Sequence, residues 1–512
     1  MKPIRLVRGF LTVGAWTLLS RAVGFVRDVL IASYLGSGPV AEAFLVAFSL
    51  PNTFRRFFAE GAFNTAFVPL FSKKFEADED PRGFAEDALS GLAFIVTVVS
   101  VIAMIGMPVL VYAMASGFAD DERFALAVYF GRITFPYILF MSGAALFSGV
   151  LNAGGRFIAA AAAPVILNVV FIAAMLVGRH YHWNTGLTLS WATPVTGFLQ
   201  MGLVWIACAR MGYPLRLRRP RLTPDMRRLL RIAIPSVMAG GVVQINLLVG
   251  RQVGSFFDGA IAWLNYADRL YQLPLGVVGI AIGVVLLPDI SRRLKAEDIV
   301  GSRYAYNRAT EFSLLLTLPA AVALMVVPVP LISVLFQRGA FSHTDTINTA
   351  LTLAIYGAGL PAFTLQKVLQ PLYFAREDTR TPFRFAWHSM IVNAAAAILL
   401  APLIGFVAAA LGTTLAGWAM VAQLWWGSRH MGEAALFDDR LKHRVPRLAL
   451  AALIMGACLW GLAQVLAPQL VTPGIRYAAL AVLVAGGALA YAAASVLTGA
   501  IRLADVRSSM GR

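Results

Sequence analysis

The sequence is poor in charge. Only 13% of its 512 residues are Asp, Glu, Lys or Arg, against 59% hydrophobic residues and a mean hydropathy of +0.73. A soluble domain carries about 25% charged residues, so a water-soluble globule is excluded and a polytopic membrane protein is expected. Cysteine is nearly absent. Cys208 and Cys458 lie in separate apolar segments, which leaves no disulfide framework and no metal-ligand spacing. The chain has no Gly-Lys dipeptide, hence no GxxxxGK phosphate loop, and neither HExxH nor GxSxG occurs. The six histidines (180, 182, 343, 388, 430, 443) are scattered without ligand spacing. ATP hydrolysis and metal catalysis therefore drop out: no enzyme activity, no cofactor and no metal site are expected. Transport driven by membrane potential or an ion gradient is what remains.

Apolar segments fill the chain instead. Crossing a ~30 Å hydrocarbon core takes about 20 residues. Fourteen segments of that length are expected, centred near residues 22, 55, 100, 140, 168, 198, 242, 275, 320, 360, 392, 416, 457 and 487. Pro51, Pro136, Pro235, Pro274 and Pro361 are expected to break several of them. The opening Met1-Lys2-Pro3-Ile4-Arg5 has the basic end of a signal peptide. The apolar run behind it is too long and carries arginines, so an uncleaved first span is expected. With the N-terminus inside, 31 of the 43 Arg and Lys residues fall at inner ends and loops. Eight lie within spans, and only Arg123, Arg179, Arg338 and Arg476 lie in outer connections. That bias puts both termini in the cytoplasm and accounts for most of the net charge of +17. Nucleic acid is not an expected partner, because no soluble basic face is visible. Anionic lipid along the run Arg216 to Arg231 stays open.

The chain also repeats itself. Pro69–Asp78 matches Pro288–Glu297 at an offset of 219, and Arg156…Pro164…Asn168 is echoed by Arg380…Asn393. Six crossings return a chain to its starting side, so the halves are expected to be parallel repeats about an axis along the membrane normal. The fold expected is an all-α polytopic membrane protein of fourteen transmembrane helices, N-in and C-in. Residues 1–220 form one six-helix lobe ending in a basic linker, and 221–435 a second. Residues 436–512 add two further helices and the cytoplasmic C-terminus.

Chemistry should reside in the charges at membrane depth. Each costs roughly 2.5–3.5 kcal/mol on insertion scales and usually faces a water-filled cavity or a partner. The basic set is Arg21, Arg27, Arg55, Arg56, Arg132, Arg251, Arg269 and Lys367; the acidic set is Asp28, Glu42, Glu60 and Asp268. On a helix, Ser20, Arg21, Gly24, Arg27 and Asp28 fall within a sector of about 120°. Arginine stays charged and offers a planar fork to phosphate oxygens, so the excess suits a phosphorylated or otherwise anionic substrate. A cavity for cationic drugs would carry excess carboxylate. Single pairs also fit structural ion pairing: Arg56 with Glu60 at i, i+4, Arg21 with Asp28, or Asp268 with a basic neighbour. Arg132 and Arg251 are expected to snorkel near helix ends. Lys367 fits either role. Gly24 either packs closely or admits a bulky head group, and Gly279 with Gly283 forms a small-xxx-small packing pair.

Several of these strings carry a family resemblance. They are Ser20-Arg21-x-x-Gly24-Phe25-x-Arg27-Asp28 and Leu50-Pro51-Asn52-x-x-Arg55-Arg56-x-Phe58-Ala59-Glu60-Gly61-Ala62-Phe63. To them add Ala66-Phe67-Val68-Pro69, Tyr266-Ala267-Asp268-Arg269-Leu270, and Lys367-Val368-Leu369 ahead of the turn from Asp378 to Pro382. Over residues 10 to 430 the chain resembles the MurJ (MviN) family, the bacterial lipid II flippases of the multidrug/oligosaccharidyl-lipid/polysaccharide exporter superfamily. The resemblance implies a V-shaped pair of six-helix lobes around a cationic cavity, with the last two helices forming a groove for a polyprenyl tail. It implies Arg21, Arg27, Arg55 and Arg269 as cavity arginines, with Ser20, Asp28, Arg56 and Glu60 in support. A family aspartate stands here as Glu42, which keeps the charge and lengthens the side chain. Some relatives carry a sodium site in the second lobe; no carboxylate cluster matches it here, so sodium is not carried over.

The implied activity is flipping of lipid II, the undecaprenyl-diphosphate-linked disaccharide pentapeptide, across the bacterial inner membrane. Membrane lipids are implied partners, and cell-wall synthesis enzymes are admitted as partners. The alternatives are a flippase for another polyprenyl-diphosphate oligosaccharide, a cation-coupled drug exporter, and a non-transporting scaffold.

Overall fold

A computed structural model describes the backbone at residues 3–56 and 62–501, and side chains at residues 13–56, 66–234, 248–276 and 286–501. Over these residues every regular element is a helix, and there is no strand. Nine helical segments among them are long and apolar enough to cross a membrane. Glu60 lies outside the described residues, as do the side-chain positions of Gly279 and Gly283.

Two compact units form. The first, Met1–Ala262, holds α1 (Pro3–Leu35), α2 (Pro39–Arg55), α3 (Ala62–Ala77), α4 (Pro81–Ile105) and α5 (Met107–Met114). It continues through α6 (Glu122–Thr134), α7 (Tyr137–Ala153), α8 (Ile158–His180), α9 (Thr185–Arg210) and α10 (Pro224–Gly254). Within it α8 lies between α1 and α9, α9 packs on α7, α2 packs on α6, and α3 meets both α7 and α10.

The second unit is Trp263–Arg512. It takes most of α11 (Ala260–Lys295), then α12 (Ile299–Val326), α13 (Pro328–Phe336), α14 (His343–Phe374), α15 (Arg380–Ile404) and α16 (Val407–Ser428). It ends with α17 (Asp439–Val465), α18 (Ala467–Val471) and α19 (Arg476–Leu497). Here α14 packs between α12 and α16, α15 lies on α16, α17 on α12, and α19 on α17.

Proline breaks fewer helices than the sequence suggests. The chain is interrupted at Pro136, between α6 and α7, but Pro51, Pro274 and Pro361 lie inside continuous α2, α11 and α14, and α10 runs unbroken through position 235. Proline removes one N–H, so a helix survives it where the stranded carbonyl finds another donor. Pro51 cannot bond the Ala47 carbonyl; the Thr134 hydroxyl on neighbouring α6 donates to that oxygen at 3.1 Å instead.

The repeated string marks a turn used twice. After α3, Asp78 turns with φ 55° and the Asp80 carboxylate accepts the Gly83 N–H at 3.0 Å, capping α4. After α11, Glu297 turns with φ 57° and the Asp298 carboxylate accepts the Gly301 N–H at 2.8 Å, capping α12. A Cβ on either glycine would fall inside the capping carboxylate, 2.1 Å from Asp80 and 1.9 Å from Asp298. The weaker echo places Asn168 on α8 and Asn393 on α15, both buried.

Polar ties hold the ends of these helices. The fully buried Glu86 on α4 pairs with Arg218 and accepts the Arg216 N–H at 3.3 Å, which pins the basic linker behind α9. Glu311 on α12 gathers Arg308, Arg440 and Arg444, the last two from α17. Between such ties the contacts are apolar, and large residues such as Ile105, Leu403 and Leu489 point outward, as expected where the solvent is lipid.

Without a hydrophobic effect between helices, packing depends on close approach. A Cβ at Gly412 on α16 would meet the Asn393 carbonyl oxygen at 2.8 Å and the Ala397 nitrogen at 3.1 Å, both backbone atoms of α15. At Gly461 on α17 a Cβ meets nothing within 4 Å. Gly412→Ala should therefore destabilise the purified protein by about 1–3 kcal/mol through overpacking. Gly461→Ala should leave the thermal midpoint unchanged or raise it. Thermal unfolding in detergent compares the two.

Candidate functional site

The polar face of α1 meets α8 through one side chain. Asn168 donates from Nδ2 to the Ser20 carbonyl at 2.8 Å and lies 3.4 Å from the Ser20 hydroxyl. Its Oδ1 accepts from Arg27 Nη1 at 2.8 Å. Adjacent helical residues do not ordinarily face each other. Arg27 nevertheless turns its fork sideways, donating from Nε at 3.0 Å and from Nη2 at 2.6 Å to Asp28 Oδ1. Its guanidinium also lies 5.9 Å from the Phe171 ring on α8. Arg27 and Asp28 are both buried, at 8% exposure. A charge removed from water this far needs a counter-charge and filled hydrogen-bond positions, and here Asp28 supplies the first and Asn168 helps with the second.

Gly24 is what lets the two helices close. A Cβ there would lie 3.2 Å from Asn168 Nδ2, so in this arrangement the glycine is a close-packing position. Arg21 is one turn away on the same face, but exposed. Arg21 and Arg27 thus differ: Arg27 is neutralised in place, and Arg21 presents its charge outward.

Glu42 belongs to a second cluster, at the N-terminal end of α2. It is buried at 1% exposure. Its Oε2 accepts from Arg123 Nη1 at 2.8 Å, and its Oε1 accepts the Ile261 N–H, in the first turn of α11, at 3.0 Å. A carboxylate at a helix N-terminus satisfies an orphan donor and opposes the helix dipole. Arg123 also pairs with Asp121 at 2.5 Å and with the exposed Asp258 at 3.0 Å, and stacks 4.4 Å from the Phe118 ring. Burial works to raise the Asp121 carboxyl, but the hydrogen bonds of Arg123 outweigh it and hold the group below the usual range. Beside them the Gly117 N–H donates to Ser255 Oγ at 3.0 Å, and the Ser116 N–H to Gln252 Oε1 at 3.2 Å.

The remaining predicted residues are distributed. Arg55 is half-buried at the end of α2 and Arg56 is exposed beside it. Asp268 and Arg269 are half-buried on α11, where Gln272 donates to Asp268; Lys367 is exposed on α14. Arg132 is exposed and caps the Met104 carbonyl at 3.1 Å, and Arg251 is half-buried. Among the described residues no group of three or more His, Cys, Asp or Glu could hold a metal ion.

Sequence reasoning missed two partners. In the sequence Asn168 stands out only as part of a repeat, because a lone amide in an apolar helix carries no charge signal. By sequence Arg123 reads as a loop cation; nothing in its local sequence points to Glu42, 81 residues away.

Comparison with known proteins gives a consistent result. The family model described as lipid II flippase MurJ matches residues 31–476. A Rhizobium meliloti (strain 1021) protein named probable lipid II flippase MurJ is 44% identical over 526 residues, covering 99% of this chain and 96% of its own length. The Burkholderia cenocepacia lipid II flippase MurJ is 38% identical over 78% of this chain and 80% of its own. A solved structure of lipid II flippase MurJ in an inward closed conformation superposes with a TM-score of 0.80 at 25% identity, over 95% of this chain and 98% of that one. An inward-facing multidrug resistance MATE family transporter of the MOP superfamily superposes at 0.67 with 14% identity, over 81% of this chain and 95% of that one, which is a likeness of fold alone.

Arg123→Met should strand Glu42 as a buried charge and cost about 3–5 kcal/mol. Combining it with Glu42→Gln should recover much of that loss. A double-mutant cycle by thermal unfolding measures the coupling; additive effects would show that the pair does not hold this end of the unit together.

Proposed function

Because this chain belongs to the lipid II flippase MurJ family, it is a lipid II flippase, and we propose how it works: alternating access through a cationic cavity, without ATP hydrolysis, carrying lipid II from the inner to the outer leaflet of the bacterial inner membrane. The observation that carries the mechanism is the polar face of α1, where an otherwise apolar helix commits Arg27 to Asp28 and Asn168 while leaving Arg21 exposed. Arg21, Arg55, Arg56 and Arg269 provide positive charge for the diphosphate. Arg27, with Ser20 and Gly24, fixes the face that presents it. Asp28, Glu42, Glu60, Asp268 and Lys367 balance or gate that charge.

In this reading the chain crosses the membrane fourteen times with both termini cytoplasmic. Residues 1–220 and 221–435 act as parallel lobes, and α17 and α19 hold the polyprenyl tail. Lipid II is the partner that defines the site; membrane lipids surround it, and cell-wall synthesis enzymes supply or receive the substrate. The membrane potential assists, because moving anionic charge outward from a negative cytoplasm is downhill by roughly 2.3 kcal/mol per charge per 100 mV.

Arg55→Ala or Arg269→Ala should lower flipping by about tenfold or more, the worth of one charged hydrogen bond. Arg269→Lys should recover part, since it restores charge but not the fork. The readout is externally exposed lipid II in cells that depend on the variant. Full activity in both alanine variants would sink the cationic-cavity mechanism. In vesicles, collapsing the potential at constant proton gradient should slow flipping; an unchanged rate would remove the potential as a driver.

A further inference from the structure

The two outer arginines of the second unit converge on one tyrosine. Arg338 follows α13, and Arg476 and Tyr477 open α19. The Arg476 guanidinium carbon lies 5.1 Å from the Tyr477 ring centroid and that of Arg338 lies 5.8 Å from it. Arg476 Nη2 donates to the Tyr477 hydroxyl at 3.2 Å. Both also reach backbone: Arg338 Nη2 donates to the carbonyls of Val334 at 3.1 Å and Leu335 at 2.5 Å, and Arg476 Nη1 to that of Gln337 at 3.3 Å.

No carboxylate among the described residues pairs with either guanidinium. Arg123, in the first unit and also in an outer connection, is the opposite case, with Glu42, Asp121 and Asp258 all bound to it. Capping the end of α13 explains the backbone contacts and part of the charge, since cations are favoured at a helix C-terminus. It leaves the Nε atoms of both arginines buried without a hydrogen-bond partner. Burial, together with the positive charge of Arg476, also holds Arg338 below the ordinary arginine pKa.

The surroundings are those of a lipid headgroup. Tyr477 is half-exposed at the start of a membrane helix, where an amphipathic ring belongs at the interface. Below it, on the same face of α19, Ala481, Val484 and Ala488 are exposed, an apolar strip on which a lipid chain can lie.

We propose that Arg338, Arg476 and Tyr477 form an outer-face binding site for the phosphoryl group of a lipid, with the chain of that lipid lying along α19. The site rests on the orientation given above, in which this end of α19 faces outward. Two planar forks around one hydroxyl offer paired donors to phosphoryl oxygens, and the bound anion completes the charge that the protein leaves open. Its source is either the headgroup of an outer-leaflet phospholipid or the diphosphate of a lipid that has already crossed.

Native mass spectrometry of the full-length protein in neutral detergent tests this, with short-chain phosphatidylglycerol and geranylgeranyl diphosphate as probes and short-chain phosphatidylcholine as the zwitterionic control. Arg338→Gln/Arg476→Gln should lose one bound anionic lipid per chain, and affinity for it should fall at least tenfold, about 1.4 kcal/mol. The double lysine variant should retain part of it, and phosphatidylcholine should be unaffected. Loss of phosphatidylglycerol binding identifies a bilayer headgroup as the source, and loss of diphosphate binding the transported lipid. Arg476→Gln alone keeps Arg338 on the α13 carbonyls and serves if the double variant does not fold. Unchanged occupancy and affinity for both anionic probes in a folded variant would overturn the site and leave a helix cap. The same measurement in an Arg269→Ala background separates this site from the membrane-depth arginines. Failure of the flippase mechanism would appear in the flipping assay, not in this binding count.

Discussion

A guanidinium carried into a bilayer cannot be left to water, and it cannot lose its proton. That constraint shapes the first unit. Arg27 lies in a largely apolar helix, and the protein meets its demands with Asp28 beside it and Asn168 from α8. Because Asn168 also holds the Ser20 carbonyl, one amide both satisfies the arginine and fixes the contact of α1 with α8. Gly24 is a consequence: the amide can reach across only where no side chain stands in its way.

The same demand recurs with other solutions. Glu42 is deeper than Arg27 and shares its charge between Arg123 and the first turn of α11. Glu311 gathers three arginines and ties α17 to α12. Pro51 removes a backbone donor, and Thr134 replaces it from another helix. In a chain with only 13% charged residues, these few polar groups set which helices may touch, while the apolar majority is indifferent between helix and lipid. Other arginines stand outside that scheme: Arg21 is exposed on α1, and the Arg338–Arg476 pair beside Tyr477 has no carboxylate partner among the described residues.

Much of the functional reading lay close to the surface of the sequence. The string around Arg55 carries the family, and the family carries the substrate. In the sequence Asp28 fits an ion pair with Arg21; the structure pairs it with its neighbour Arg27, although residues at i, i+1 rarely meet on a helix, because the long Arg27 side chain folds sideways. Pro274 and Pro361 were expected to break helices, since the residue type alone does not show whether a neighbour will satisfy the stranded carbonyl. Glu42 stands out in the sequence as a charge at membrane depth and again by its family position, but its partners are not legible there.

By itself the sequence determined the solvent, the helical class, the family, and which charges must be answered inside the membrane. These follow from composition, from runs of apolar residues and from local strings, all of which act over one or two helical turns. The tertiary structure decided which group answers each charge: Asn168 for Arg27 across 141 residues, Arg123 for Glu42 across 81, and, among the described residues, no carboxylate for Arg338. Hydrogen bonds and ion pairs reach only a few ångströms, so the identity of a partner depends on which helices are brought together, and no local pattern records that.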